Sequence, residues 1–154
     1  MKHLSCLILI LHLCNSCSSI RPVKPLALVT VDEHLAPYAE VFFKDFGINA
    51  ASVSMTFGAQ EDETFAASCY RWRYEDGRIA SAEIIVDTWI WSRLGKIQRE
   101  ALMYHELLHC TINAEHNDAI DLTTECPLSI MHPMVLSTRC YEAYKDKYVK
   151  EFSL

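Results

Sequence analysis

The sequence lacks several features that would point to other classes of protein. It contains no internal repeat and no low-complexity tract, which argues against solenoid and disordered architectures. It also lacks a basic excess, since its net charge is −6, whereas nucleic-acid-binding proteins usually carry one. We therefore expect no nucleic-acid partner. With 154 residues of ordinary globular composition, the chain is long enough for one domain with a core of its own.

Long apolar runs are missing as well. The longest begins at Leu4 and ends at Leu13, about ten residues where a membrane-spanning helix needs roughly 20. With Lys2 before it and small polar residues after it, this run predicts a secretory signal. The following "LCNSCSS" resembles a bacterial lipoprotein box, which implies that Cys17 is lipidated; Cys14 departs from the Leu usual in that box.

This N-terminus sets the expected domains and location of the chain. We expect a signal over residues 1–17, a linker over 18–30 and one domain over 31–154. The protein would be exported, either lipid-anchored in the bacterial cell envelope or plainly secreted, and its membrane contact would be through the lipid alone. The sequence gives no prediction of the oligomeric state.

Four cysteines remain in the predicted domain: Cys69, Cys110, Cys126 and Cys140. An even number in an exported chain predicts up to two disulfides, and four cysteines allow three pairings. The alternative is that some are buried free thiols. We expect Cys110 to pair with Cys126 or Cys140, which would tie the helix that contains it to later segments.

Apolar periodicity and turn residues predict a fold of the α+β class. The expected elements are a helix over residues 32–47 that stops at Gly47, three strands, a long helix from Ser92 to Ile112 and a C-terminal helix capped by Ser137. The "EDG" that ends at Gly77 predicts a hairpin between the second and third strands. We therefore expect a small, mostly antiparallel sheet packed on an active-site helix and a C-terminal helix.

The segment "YHELLHCTINAEH" carries the chemistry. His105 and His109 are four residues apart, so on a helix they share one face and can bind one metal ion. Glu106 is rotated by about 100° from His105, beside the metal, where it can act as a general base. The alternative is a pair of core histidines that are hydrogen-bonded to the backbone.

A third ligand is predicted after the helix. Asn113 can adopt the left-handed conformation that ends helices, and a chain that turns there can return His116 to the metal. Three histidines leave the fourth position of a tetrahedral Zn²⁺ for water, as a catalytic site requires. Asp118 and Glu115 are alternative third ligands, because carboxylates also bind zinc.

Together with "SIMHP", the motif "HELLHCTINAEH" resembles the metzincin metallopeptidases. The resemblance implies that Met131 forms the methionine turn beneath the metal, with a substrate cleft between the sheet and the active-site helix. Two departures concern the zinc motif: Ile112 stands where the family has Gly, and Glu115 where it has the third ligand, so His116 comes one residue late.

A further departure concerns the oxyanion. Pro133 replaces the Tyr that some metzincins place after the methionine, which leaves Tyr141, Tyr144 and Arg139 as candidates to stabilise the oxyanion. A different zinc peptidase type would take its third ligand from Glu125, whose surroundings do not predict a helix.

These features predict a Zn²⁺-dependent endopeptidase. Its partner would be a peptide or protein substrate lying along an edge strand within "AEIIVDTWIW", with Glu106 taking the proton of the attacking water. The alternatives are a non-catalytic zinc-binding protein and a metal-free structural or interaction lipoprotein of the cell envelope.

Overall fold

The computed structural model describes residues 20–21, 28–62 and 64–153. Cys17 and the predicted signal over residues 1–17 lie outside these described residues, as does most of the predicted linker. None of the helices within the described ranges is long and apolar enough to cross a bilayer.

The chain forms one four-stranded sheet, one two-stranded sheet and four helices in the described ranges. The elements, in chain order, are β1 (Ile20–Arg21), α1 (Ala36–Phe46), β2 (Val53–Phe57), β3 (Ala67–Arg73), β4 (Ile79–Val86), α2 (Thr88–Arg93), α3 (Lys96–Ile112), β5 (Ile120–Asp121), β6 (Cys126–Pro127) and α4 (Thr138–Phe152). The expected α+β class, with a small sheet packed on helices, is confirmed.

The larger sheet has the strand order β1-β3-β4-β2. The predicted hairpin between β3 and β4 is present, and Gly77 in its turn has a φ of +85°. β2 runs parallel to β4, however, and β1 runs parallel to β3, so the sheet is mixed. β4 lies between β3 and β2 and has no free edge, which overturns the expectation that substrate adds to this strand.

The predicted long helix is confirmed only as α3: residues 92–93 belong to the shorter helix α2, most of which lies where the third strand was expected to continue. Asp87 caps α2, because its carboxylate accepts the N–H of Ile90 at 2.7 Å, and the third strand therefore ends at Val86. Leu94 is extended, and α3 begins after Gly95, whose N–H is bonded by the side chain of Gln98. Ser92 is consequently not the cap of the long helix, contrary to the prediction.

The other helix ends follow the sequence. Gly47 ends α1 in the left-handed conformation, with a φ of 71°, and the hydroxyl of Ser137 accepts the N–H of Cys140 at the start of α4. Between the helices and the sheet lies one core, to which each major element contributes buried side chains. Among them are Phe42, Phe46, Val53, Met55, Ile84, Val86, Tyr104, Leu107, Leu108, Tyr141 and Tyr148. Helix α3 contributes buried side chains to this core from Ala101 to Cys110, and this packing holds the helix in place.

Candidate metal centre

Helix α3 places His105 and His109 side by side. Their positions four residues apart bring both rings to the same face, and their Nε2 atoms are 3.0 Å apart. The neighbouring face of the helix is apolar and buried, with Leu107, Leu108 and Cys110 in the core. Packing of that face determines the direction in which the two imidazoles project.

The chain reverses after α3 and returns a third histidine. Asn113 adopts the left-handed conformation, with φ 60° and ψ 34°, as its side chain allows. The N–H of Ala114 donates to the carbonyl of Leu108 at 3.3 Å and closes the turn. The Nε2 atom of His116 then lies 3.0 Å from that of His109 and 3.2 Å from that of His105.

Two of the rings are oriented by backbone carbonyls. The Nδ1 atom of His105 lies 3.0 Å from the carbonyl oxygen of Ile130, and that of His109 lies 2.6 Å from the oxygen of Ala114. A carbonyl oxygen can only accept, so Nδ1 is the protonated nitrogen in each ring. The Nε2 lone pairs are therefore directed toward one another and are available to a metal ion.

The three Nε2 atoms fit a tetrahedral metal. Bonds of about 2.0–2.1 Å to zinc place tetrahedral nitrogens about 3.3 Å apart, close to the separations of 3.0 to 3.2 Å seen here. Lone pairs that face one another repel, whereas a shared cation satisfies all of them. Within the described residues, His105, His109 and His116 form a group of potential metal ligands whose ligand atoms all lie within 4.8 Å of one another.

Burial keeps these histidines neutral. Desolvation, with the charge of His109 next in size, lowers the pKa of His105 to about 3, and desolvation lowers that of His109 to about 4. The more exposed His116 also has a lowered pKa, chiefly through desolvation. Neutral imidazole is the form that binds metal, so the cluster is ready for an ion at neutral pH.

Glu106 follows the first of these histidines and is 5% exposed. Desolvation raises the pKa of its carboxyl group to about 8 in the metal-free protein. A dication nearby would favour the carboxylate and lower this pKa. A carboxyl group that titrates near neutral pH is suited to accepting a proton and giving it up again.

The turn around Met131 forms hydrogen bonds with His105 of α3 and with the chain next to His116. The hydroxyl of Ser129 accepts the N–H of Met131 at 3.0 Å, and the Ile130 carbonyl contacts His105 as described. The carbonyl of Met131 accepts the N–H of Asn117, next to His116, at 3.0 Å. The side chain of Met131 is fully buried. The turn therefore holds both the helix and the returning chain.

Two disulfides connect the elements around this site. Cys110, next to His109, is bonded to Cys69 of β3, and Cys126 is bonded to Cys140 of α4. All four predicted cysteines are thus paired, but the expectation that Cys110 bonds Cys126 or Cys140 is wrong. The reason is tertiary: α3 packs across the sheet, so its last turn lies against β3.

Arg71 was missed by sequence reasoning. It lies on the same face of β3 as Cys69, is 3% exposed and donates from Nη1 to the carbonyl of His109 at 2.7 Å. Arg73, two residues on, donates to the side-chain oxygen of Asn113. The sequence did carry a signal for Arg71, because alternate residues of a strand share a face and Arg71 and Arg73 therefore share one with Cys69. In the structure all three residues contact the end of α3.

The remaining candidates lie elsewhere or are exposed. The alternative ligands Glu115, Asp118 and Glu125 are exposed and are not in the three-histidine group. The hydroxyl of Tyr141 donates to Glu100 at 3.0 Å, and Arg139 donates to the carbonyl of Thr124 at 3.0 Å. Tyr144 lies beside Tyr148, with ring centroids 6.4 Å apart.

A family model described as "Putative phage metallopeptidase" matches residues 33–127. This range contains the three histidines and Glu106 and ends before the turn around Met131. No curated protein and no solved structure matches the chain.

Proposed function

Because the chain belongs to this phage metallopeptidase family, we propose that it is a zinc-dependent endopeptidase of the metzincin type. The observation that carries the proposal is the meeting of three Nε2 atoms 3.0 to 3.2 Å apart, two from a helix and one from the returning chain. Catalytic zinc typically has three protein ligands and leaves its fourth position to water or substrate, whereas structural zinc sites are usually closed by a fourth protein ligand.

His105, His109 and His116 would hold the ion. A bound Zn²⁺ lowers the pKa of water and polarises the carbonyl of the peptide bond. Glu106 accepts the proton of the attacking water and delivers it to the leaving nitrogen. We assign Met131 to the methionine turn as an apolar floor below the ligands; its burial and the carbonyls of its turn support that assignment.

The test is hydrolysis of an unfolded protein by the purified mature chain, with and without a chelator. We expect cleavage that the chelator abolishes, and loss of cleavage in Glu106→Gln. Glu142→Gln, at an exposed position on α4, is the matched control and should cleave normally. Equal cleavage in all samples would refute the metallopeptidase proposal. Binding of zinc without cleavage would favour a non-catalytic zinc protein.

Peptides blocked at both ends test the endopeptidase assignment. Hydrolysis at internal bonds of such peptides is expected, since nothing in the proposed mechanism requires a free terminus. Activity confined to peptides with a free amino or carboxyl end would assign the chain to the exopeptidases instead.

We also propose that the chain acts outside the cytoplasm. Two disulfides support this location, because they form and persist in oxidising compartments. Expression in a bacterium, with Cys17→Ser beside the unaltered chain, tests the anchor: the unaltered protein should be in the membrane fraction and the variant should be released. Recovery of both in the cytoplasm with free thiols would contradict export.

A further inference from the structure

The turn around Met131 places one more histidine beside the cluster. His132 follows Met131 directly, so their Cα atoms are about 3.8 Å apart. Its own N–H donates to the carbonyl of Ser129 at 3.3 Å, which holds it in the turn. The two preceding residues are bonded to His105 and to the chain beside His116, as described above. His132 is therefore held in the turn directly after the two residues that contact the ligand segments, although it does not belong to the three-histidine group.

The electrostatics of the cluster agree with this position. A charge on His132 lowers the pKa of both His105 and His116, as a smaller contribution than their burial. These contributions agree with the place of His132 in the turn whose hydrogen bonds reach His105 and the chain beside His116. His132 is half-buried, so the residue is not sealed inside the core.

The backbone selects the tautomer of this ring. The N–H of Met134 donates to Nδ1 of His132 at 3.2 Å. A nitrogen that accepts a hydrogen bond carries no proton, so in the neutral ring the proton is on Nε2. This is opposite to His105 and His109, whose Nε2 atoms carry lone pairs. Pro133 restricts the backbone of His132 to extended conformations and helps to fix the direction of the donor.

We propose that the Nε2–H group of His132 is the oxyanion donor of this site. The proposal rests on the peptidase function proposed above. When the oxygen of water adds to the peptide carbon, the π-electron pair of the carbonyl moves to its oxygen, and His132 donates a hydrogen bond to the resulting oxyanion. A donor held in place before the reaction stabilises this charge without reorganisation. His132 thus has the role for which the sequence offered Tyr141, Tyr144 and Arg139 as candidates.

Three substitutions of His132 separate the contribution of its hydrogen-bond donor from that of its ring. His132→Phe keeps a flat ring without a donor, His132→Gln offers an amide donor near the position of Nε2, and His132→Asn offers one near Nδ1. We expect kcat to fall by about 10²–10³ in the Phe and Asn variants, with KM and zinc content unchanged. His132→Gln should recover a measurable part of kcat. Unchanged kcat in His132→Phe, or no advantage of Gln over Asn, would overturn the assignment.

Two readouts do not depend on turnover. A phosphinic peptide has a tetrahedral phosphorus with an oxygen that mimics the oxyanion. Calorimetry should show that it binds His132→Phe more weakly by the same factor as the loss of kcat/KM. Affinity for product peptides should be unchanged. In the nitrogen NMR spectrum of the neutral ring, Nδ1 of His132 should appear unprotonated; a protonated Nδ1 would overturn the assignment.

The proposed function and the role of His132 fail in different ways. An inactive wild type that binds neither zinc nor the phosphinic peptide refutes both. A wild type that is active and sensitive to chelator, beside an equally active His132→Phe variant, refutes only the oxyanion role. Loss of zinc from His132→Phe would assign His132 to the support of the ligands and would also overturn the oxyanion role.

Discussion

The Nε2 atoms of His105 and His116 lie 3.2 Å apart, although eleven residues separate the two histidines along the chain. A continuous helix would place His116 about three turns from His105 along its axis. The reversal at Asn113 removes this separation. The geometry of the candidate metal centre thus depends on one residue with a positive φ and on the contacts that hold it.

Substitution of Asn113 tests this dependence. Asn113→Ala should lower the free energy of unfolding by about 1–2 kcal/mol, the cost of left-handed backbone in a residue with a Cβ atom and no local hydrogen bond. Asn113→Gly should cost less, because glycine adopts positive φ readily, although both variants lose the hydrogen bond from Arg73. Urea unfolding of the metal-free proteins measures the difference, and an alanine variant as stable as the glycine variant would contradict the account.

The sequence predicted this part of the site because the information is local. The spacing of His105 and His109 determines their common face, and Asn113 is among the few residue types that adopt left-handed backbone. The predicted helix end at Asn113 was confirmed because it depends on this local preference. Glu106 was predicted from the same helical geometry, because it follows His105 directly; its role as the base stays a prediction.

The errors arose where the outcome depends on distant segments. Cys110 bonds Cys69 because α3 packs against β3, and nothing within the helix specifies which strand it meets. The interior position of β4 depends on β2 returning beside it in parallel. The break at Leu94 and Gly95 lies within an otherwise continuous apolar stripe, and the cap at Asp87 that would have indicated it was assigned to a strand.

The two disulfides should differ in their contributions to stability. The bond between Cys69 and Cys110 closes a sequence separation of 41 residues, and that between Cys126 and Cys140 one of 14. Loop-closure entropy predicts about 4 and about 3 kcal/mol for loops of these sizes. Replacing the first pair by alanine should therefore lower the free energy of unfolding by about 1 kcal/mol more than replacing the second.

Urea unfolding of the two double variants, both without metal, makes this comparison. The absence of zinc separates chain entropy from any effect on the ligands. A larger loss of stability in the Cys126→Ala/Cys140→Ala protein would show that native-state packing, and not loop closure, governs the contribution of these bonds.

Proton release tests the environment of Glu106. In the metal-free protein its carboxyl pKa is about 8, so the group is protonated at pH 6.5 and a bound dication should remove that proton. His105 and His109, with pKa values of about 3 and 4, are already neutral and should release almost none. Wild type should therefore release about one proton more than Glu106→Gln when zinc binds at pH 6.5.

Zinc titration in buffers with different heats of ionisation measures this difference. The direction of the difference follows from the pKa. A carboxyl group with a raised pKa holds a proton that the metal displaces, so proton release must be greater in the wild type than in Glu106→Gln. Equal release by both proteins would show that Glu106 is already ionised without metal, or that it does not sense the ion.

Zinc content and affinity of the purified protein test the central claim most directly. We expect one Zn²⁺ per wild-type chain, with an affinity that falls by more than about 100-fold in His116→Ala, beyond the 10–100-fold effect of losing an outer-shell partner. His34→Ala, which removes an exposed histidine outside the cluster, should bind zinc like the wild type. A wild-type stoichiometry near zero, or equal affinity in His116→Ala, would contradict the three-histidine site.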